Sequence, residues 1–172
     1  LNFNNTYTLA IRKDLANQYN IRSISDLANI SSKLTFSPTL TFMERNDCYL
    51  GLKKSYPLHF KKVIAIDGAP RYTALMNKES DVVDAFSTDA LIKKFNLVVL
   101  DDDKNFFLPY QAVPVVNDNI LKNYPEVKIT LEALSPYLSD EVMRELNYNV
   151  DVLNQKPSNV AKGFLKKNGL ID

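Results

Sequence analysis

Residues 70–100, PRYTALMNKESDVVDAFSTDALIKKFNLVVL, decide the fold class. Pro70 suits the first turn of a helix, where its missing N–H costs nothing, and the spacing predicts that helix over Arg71–Asn77. Val82–Phe86 is an apolar run bounded by charged and small polar residues, hence a strand. Ala90–Phe95 returns to helical spacing, and Leu97–Leu100 is a further strand. Such alternation argues for an α/β lobe with a largely parallel sheet. Upstream the pattern continues. Thr6–Ile11 reads as a strand, Lys13–Tyr19 as a helix, and Ser25 as the N-cap of a short helix over Asp26–Ile30. Leu34–Phe36 reads as a strand ended by Pro38. Phe42–Lys54 has the spacing of one helix stopping before Pro57, and Val63–Ile66 is another β-branched strand.

Downstream the character changes. Asp101-Asp102-Asp103 reads as an exposed charged turn. Gln111–Val116 reads as a strand whose Pro114 suits an edge or bulge. Helices are predicted over Ile120–Tyr124, Val127–Leu138, Ser139–Asn147 and Ser158–Asn168. Ser139 followed by Asp140 and Glu141 is a good helix start, and Gly169 is a stop. The boundary falls near residues 100–106. Residues 1–100 are expected to form a complete α/β lobe, and residues 101–172 a crossover plus the helical C-terminal part of a second lobe. One strand and several amphipathic helices cannot cover their own apolar faces, so this second part is expected to pack on something else.

The 172 residues are 45% hydrophobic, enough to bury a core. With 21 basic and 20 acidic residues the net charge is +1, which argues against a nucleic-acid partner. No apolar run approaches the roughly 18 residues needed to cross a bilayer, and Leu1-Asn2-Phe3-Asn4 does not read as a signal peptide. Cys48 is the single cysteine and His59 the single histidine, which removes most metal and triad chemistry. The four glycines form no phosphate-cradling loop. No cofactor and no metal are expected.

Three segments set aromatic rings beside small polar residues: Phe3-Asn4-Asn5-Thr6-Tyr7, Asp84-Ala85-Phe86-Ser87-Thr88-Asp89 and Phe106-Phe107-Leu108-Pro109-Tyr110. Rings gathered at strand ends suit a cavity for a quaternary ammonium group, each contributing about 0.5–2 kcal/mol through its negative face. In parallel α/β sheets ligands collect at the carboxyl ends of strands, where Phe86 lies. Other motifs have simpler readings. Asp101-Asp102-Asp103 lacks the calcium-loop pattern. Cys48 and His59 lack an orienting third partner. Ser87-Thr88-Asp89 reads as ligand hydrogen bonding or a cap for the helix from Ala90. Glu44-Arg45-Asn46-Asp47 is either a carboxylate clamp through Arg45 or a surface charge pair. Lys61-Lys62 and Lys166-Lys167 read as solvated charges.

Taken together, FNNTYTLAIRKDLA, FMERNDCYLGLKKSY, IDGAPRYTALMNKESDVVDAFSTD, NLVVLDDDKNFFLPYQAVP and VAKGFLKKNGLI resemble the glycine betaine/carnitine/choline-binding proteins of osmoprotectant ABC transporters, nearly end to end. The resemblance implies a type II periplasmic-binding-protein fold, two α/β lobes joined by crossing strands and closing over ligand. It implies an aromatic cage at Tyr7, Phe86 and Tyr110, with Tyr110 from the lobe opposite Tyr7 and Phe86. Thr6 and Thr88 are candidates for hydrogen bonds near the ligand. There are three departures. Phe86 stands where tyrosine is common, Cys48 stands where glycine is usual, with Ser37-Pro38-Thr39-Leu40 before it also unlike the family, and the chain begins where members are already well under way. By the same resemblance the part not in this chain holds most of the first lobe and a further cage aromatic.

The expected function is therefore that of an extracytoplasmic solute-binding component of an ABC importer. It would take a small quaternary-ammonium zwitterion, pass it to a membrane permease, and do no chemistry. A rival keeps the fold and binds a modified amino-acid betaine, with Phe86 stacking and Arg71 or Arg45 holding a carboxylate. A second rival is the effector-sensing domain of a transcription regulator; a third, an enzyme, is disfavoured by the shortage of His and Cys.

Overall fold

The computed structural model describes residues 1–172. Five strands form one sheet: β1 (Tyr7–Ile11), β2 (Thr35–Phe36), β3 (Lys62–Val63), β4 (Val82–Phe86) and β5 (Val98–Val99), in the order β3-β2-β4-β1-β5. β2 runs parallel to β3 and β4, while β1 is antiparallel to both β4 and β5. Four strands thus share a direction and β1 opposes them, so the sheet is mixed rather than largely parallel throughout. Hydrophobic pattern fixes which segments are strands, and direction follows from where the chain enters the sheet. β1 enters at the end where β4 finishes, which pairs Tyr7 with Phe86.

Alternation along the strands builds two cores. Leu9, Ile11 and Val82 point into a cluster with Phe36, Phe42, Leu52 and Tyr56 under α1 (Lys13–Tyr19), α2 (Ile24–Ile30), α3 (Leu40–Glu44) and α4 (Tyr49–Ser55). Ala10, Val83 and Ala85 point into the other with Tyr72, Leu75 and Ile92, from α5 (Pro70–Met76) and α6 (Ala90–Lys94).

Several local expectations are corrected. The cap of α2 is Ser23, not Ser25. The Ser23 hydroxyl accepts from the Asp26 amide at 3.1 Å and the Asp26 carboxylate accepts from the Ser23 amide at 2.9 Å, a reciprocal box. Ser25 instead bonds Asp103 with both its amide and hydroxyl. The helix expected over Phe42–Lys54 is two helices, because Arg45 turns extended (φ −85°, ψ 144°) and clasps Asp47. The break folds Asn46 back onto α4. A Cβ on Gly51 would lie 2.2 Å from the Asn46 carbonyl oxygen and 3.0 Å from the Phe106 ring, so only glycine allows this approach.

Beyond Leu100 the helices are α7 (Asp118–Asn123), α8 (Glu126–Glu132), α9 (Asp140–Asp151) and α10 (Pro157–Lys167). The stretch Val127–Leu138 is not one helix: α8 stops and Pro136, which lacks an N–H, sits in a separate 3-10 turn over Ser135–Tyr137. Gln111–Val116 is no strand. Gln111 alone bridges to Asn4, and Val113 and Val115 are 70% and 92% exposed. Gly169 (φ +68°) closes α10, with the Leu170 amide donating to the Leu165 carbonyl. Of 36 buried residues only Leu138 follows Leu100, so the apolar faces of this part are open. α9 docks on α6: Lys93 contacts Glu145 and lies 4.7 Å over the Tyr148 ring, and Asn147 Nδ2 donates to the Thr88 carbonyl at 2.9 Å.

Candidate functional site

β4 ends and β1 begins at one end of the sheet, so their terminal rings meet. The centroids of Tyr7 and Phe86 are 4.5 Å apart with planes tilted by 31°. Tyr110 reaches the same place from a segment laced to the residues before β1. The Asn5 amide donates to the Tyr110 carbonyl at 3.1 Å, and the Tyr110 amide to Asn4 Oδ1. Its ring stands at 87° to Tyr7, 6.3 Å away, and is 42% exposed. Three stretches far apart in sequence thus deliver rings to one corner, two in contact and the third across from Tyr7.

Thr6 and Thr88 sit beside these rings with their hydroxyl hydrogens in use. Thr6 Oγ1 donates to the Leu108 carbonyl at 2.7 Å, and Thr88 Oγ1 to Asn5 Oδ1 at 2.6 Å. Each retains acceptor capacity on its oxygen. Ser87 Oγ donates to the Asn4 carbonyl. These bonds fasten the 87–88 turn and the 108–110 segment to residues 4–6, so the polar residues of the three motifs hold the crossing chains in register.

Two further rings extend the cluster, Phe107 from the third aromatic motif and Phe42 from outside all three. Phe42 lies 5.4 Å from Tyr7, and Phe107 lies 6.5 Å from Tyr7 and 6.1 Å from Phe42. Phe42 read as an ordinary helix-core residue, and no local signal marks it. Phe107 is held because its amide donates to Asp102 Oδ2 at 2.7 Å, while Asp102 Oδ1 accepts from the Tyr56 hydroxyl. The triple-aspartate turn is therefore a clasp: Asp101 bridges to Ser23, and Asp103 takes Ser25.

The floor beneath the rings is charged. Asp84 shares a strand face with Phe86 and is 2% exposed. It accepts from the Thr39 amide at 2.7 Å and hydroxyl at 3.0 Å, and Arg71 Nε stands 3.5 Å away. Burial raises the Asp84 pKa, against the opposing pull of Arg71 and Thr39. Arg71 is 7% exposed and committed: Nε donates to the Asp84 carbonyl at 3.0 Å, one terminal nitrogen to the Gly68 carbonyl at 2.7 Å, and the other faces Asp89 at 3.6 Å. Arg45 differs. Its side chain is 44% exposed and its only acid partner is Asp47, which is 40% exposed. Burial raises the Tyr7 hydroxyl pKa, and the Arg45 charge opposes that rise. Of the two arginines considered for a carboxylate, Arg45 has the accessible guanidinium.

The chain matches the family described as the substrate binding domain of ABC-type glycine betaine transport systems over residues 1–167. It belongs to that family. Among its relatives, the ergothioneine transport permease/ergothioneine binding protein EgtU of Helicobacter pylori (strain G27) is 45% identical over 99% of this chain and 31% of its own length. The carnitine transport binding protein OpuCC of Listeria monocytogenes is 40% identical over 99% of this chain and 56% of its own. A crystal structure of a glycine betaine/carnitine/choline ABC transporter superposes with a TM-score of 0.93 at 37% identity, covering 99% of this chain and 63% of that one. The chain thus spans about a third to just over half of the length of these curated relatives. The fold is the periplasmic-binding-protein type that the resemblance implied, and the family is one of transport binding domains rather than of enzymes.

Proposed function

We propose that this chain carries one lobe and the crossing region of an extracytoplasmic binding unit that captures a small quaternary-ammonium zwitterion for an ABC permease. Residues 1–100 form the lobe, and residues 101–172 belong to the second lobe, a division supported by the open apolar faces after Leu100. The observation that carries the reading is the meeting of Tyr7, Phe86 and Tyr110 at the strand ends. Their faces hold the cation, and the outward surface of the Tyr7–Phe86 pair with the Tyr110 ring across from it makes the corner. Thr6 and Thr88 keep the crossing segments aligned and offer acceptor oxygens. Arg45 receives the ligand carboxylate by opening its exposed pair with Asp47, a small cost at a solvated site. The unit does no chemistry: binding favours the closed arrangement, which is the form presented to the permease.

Titration calorimetry on the complete two-lobed unit tests this. Glycine betaine, carnitine or choline is expected to bind, and Tyr7→Ala or Tyr110→Ala to weaken binding by more than about 1 kcal/mol. Unchanged affinity in both variants would remove the cage.

A second reading, an amino-acid betaine such as ergothioneine, rests on the Helicobacter relative and on Phe86, whose ring stacks without a hydroxyl. A thermal-shift panel separates the two, since the tighter ligand raises the melting temperature more.

A further inference from the structure

The lobe has a second charged surface, remote from the aromatic corner. Lys33, Lys53, Lys54, Lys61, Lys62 and Lys104 are all exposed. The fold brings Lys61 and Lys62 beside Lys33, and Lys104 beside Lys53 and Lys54. The Lys61 amide donates to the Leu34 carbonyl at 3.0 Å, Lys62 pairs with Thr35 across β2–β3, and Lys104 Nζ donates to the Ser55 carbonyl at 2.8 Å. The patch lies at the first residues of β2 and β3 and the last turn of α4. Because β2 and β3 run parallel with β4, their starts lie at the end of the sheet opposite Phe86.

None of the six ammonium groups lies within ion-pair distance of an acid. The acids next to Lys104, Asp102 and Asp103, are committed to Tyr56, Phe107 and Ser25. Asp81, at the same end of the sheet, accepts from the Thr35 amide and faces Arg12, so the six lysines are left without an acidic partner. Lys53 and Lys54 complement the carboxyl end of α4, and Lys33 that of the 3-10 turn over Ser31–Lys33, but Lys61 and Lys62 serve no such helix end. The patch holds lysine and no arginine. Protein interfaces favour arginine and deplete lysine, whereas hydrated, mobile ammonium groups suit a diffuse layer of negative charge.

We propose that this lysine pole rests on anionic phospholipid headgroups, holding the binding unit near the membrane with the ligand corner facing away from the contact. The proposal stands apart from the ligand assignment. It is tested with the complete two-lobed unit, freed of any anchor, by sedimentation with phosphatidylcholine vesicles with and without phosphatidylglycerol, at low and high salt. Binding is expected only to the phosphatidylglycerol vesicles, lost at high salt. The variant Lys33→Gln/Lys54→Gln/Lys61→Gln/Lys62→Gln is expected to bind about tenfold more weakly or worse, with its melting temperature and betaine affinity unchanged. No binding of the unsubstituted protein to anionic vesicles, or equal binding by the variant, overturns the proposal. The second outcome places any attraction on another surface.

Discussion

Tyr7 and Phe86 are register partners across the antiparallel β1–β4 pair, and their ring centroids lie 4.5 Å apart. The pairing is set by the ladder below, where Leu9 opposes Asp84 and Ile11 opposes Val82. A slip by one residue would turn Leu9 and Ile11 out of the core and move Tyr7 from this face. The core that folds the lobe therefore also fixes the geometry of the two rings, and no separate device is needed to hold them.

If the Phe86 ring face is what a cation meets, a hydroxyl at this position adds little. Phe86→Tyr is expected to keep affinity for glycine betaine within about 0.5 kcal/mol, and Phe86→Ala to lose more than about 1 kcal/mol. Calorimetry checks both, with melting curves to confirm that each variant folds. Equal binding by the alanine variant would take Phe86 out of the site.

Arg45 separates ligands by their carboxylate. Arg45→Ala is expected to weaken glycine betaine or carnitine by about 1.5–3 kcal/mol, the range for hydrogen bonds to charged groups. Choline, which has no carboxylate, is expected to be unaffected. Parallel titrations of one variant with both ligand types read this directly, and equal losses for both would mean that Arg45 acts on the cleft wall instead.

How much of this was legible depended on whether the signal was local. Helix α1 and strand β4 follow from periodicity and keep their expected bounds, Lys13–Tyr19 and Val82–Phe86. The break at Arg45 does not follow, because it depends on Asp47 chelating the guanidinium and on Asn46 and Phe106 closing over Gly51. The Ser23–Asp26 box was readable, and Ser25, which lies inside α2, competed with it only because a start at Asp26 was expected. The three aromatic motifs were visible because small polar residues flank each ring. Phe42 was not, since a ring among apolar neighbours looks like core until a fold shows which rings it meets.

Arg71 and Asp84 form a pair buried beneath the rings, with side chains 9% and 2% exposed. Arg71→Leu leaves the Asp84 carboxylate with only its Thr39 bonds in a dry site. The expected cost is about 3–5 kcal/mol of stability, typical of breaking a buried pair from one side. Urea unfolding measures it. Asp84→Asn, which keeps the shape and leaves Arg71 its bonds to the Gly68 and Asp84 carbonyls and its approach to Asp89, is expected to cost less.

Cys48 is fully buried between Arg45 and α4, and burial pushes its thiol pKa up to about 11. A folded-state value above the unfolded 9.0 means that, between these two values, the unfolded chain has released a proton the folded chain still holds. Stability therefore falls as pH rises from 9.0 toward about 11. Tyr56 and Tyr72, both raised mainly by burial, add to the fall at higher pH. Melting temperatures over this range are expected to decline in the native sequence and to decline less in Cys48→Ala, whose lower starting stability reflects the small cavity. Because the thiolate is the nucleophile, iodoacetamide at pH 8 is expected to leave Cys48 unmodified in the folded protein and to label it in urea. Rapid labelling of the folded state, read by mass spectrometry, would show that the segment around Arg45 opens readily.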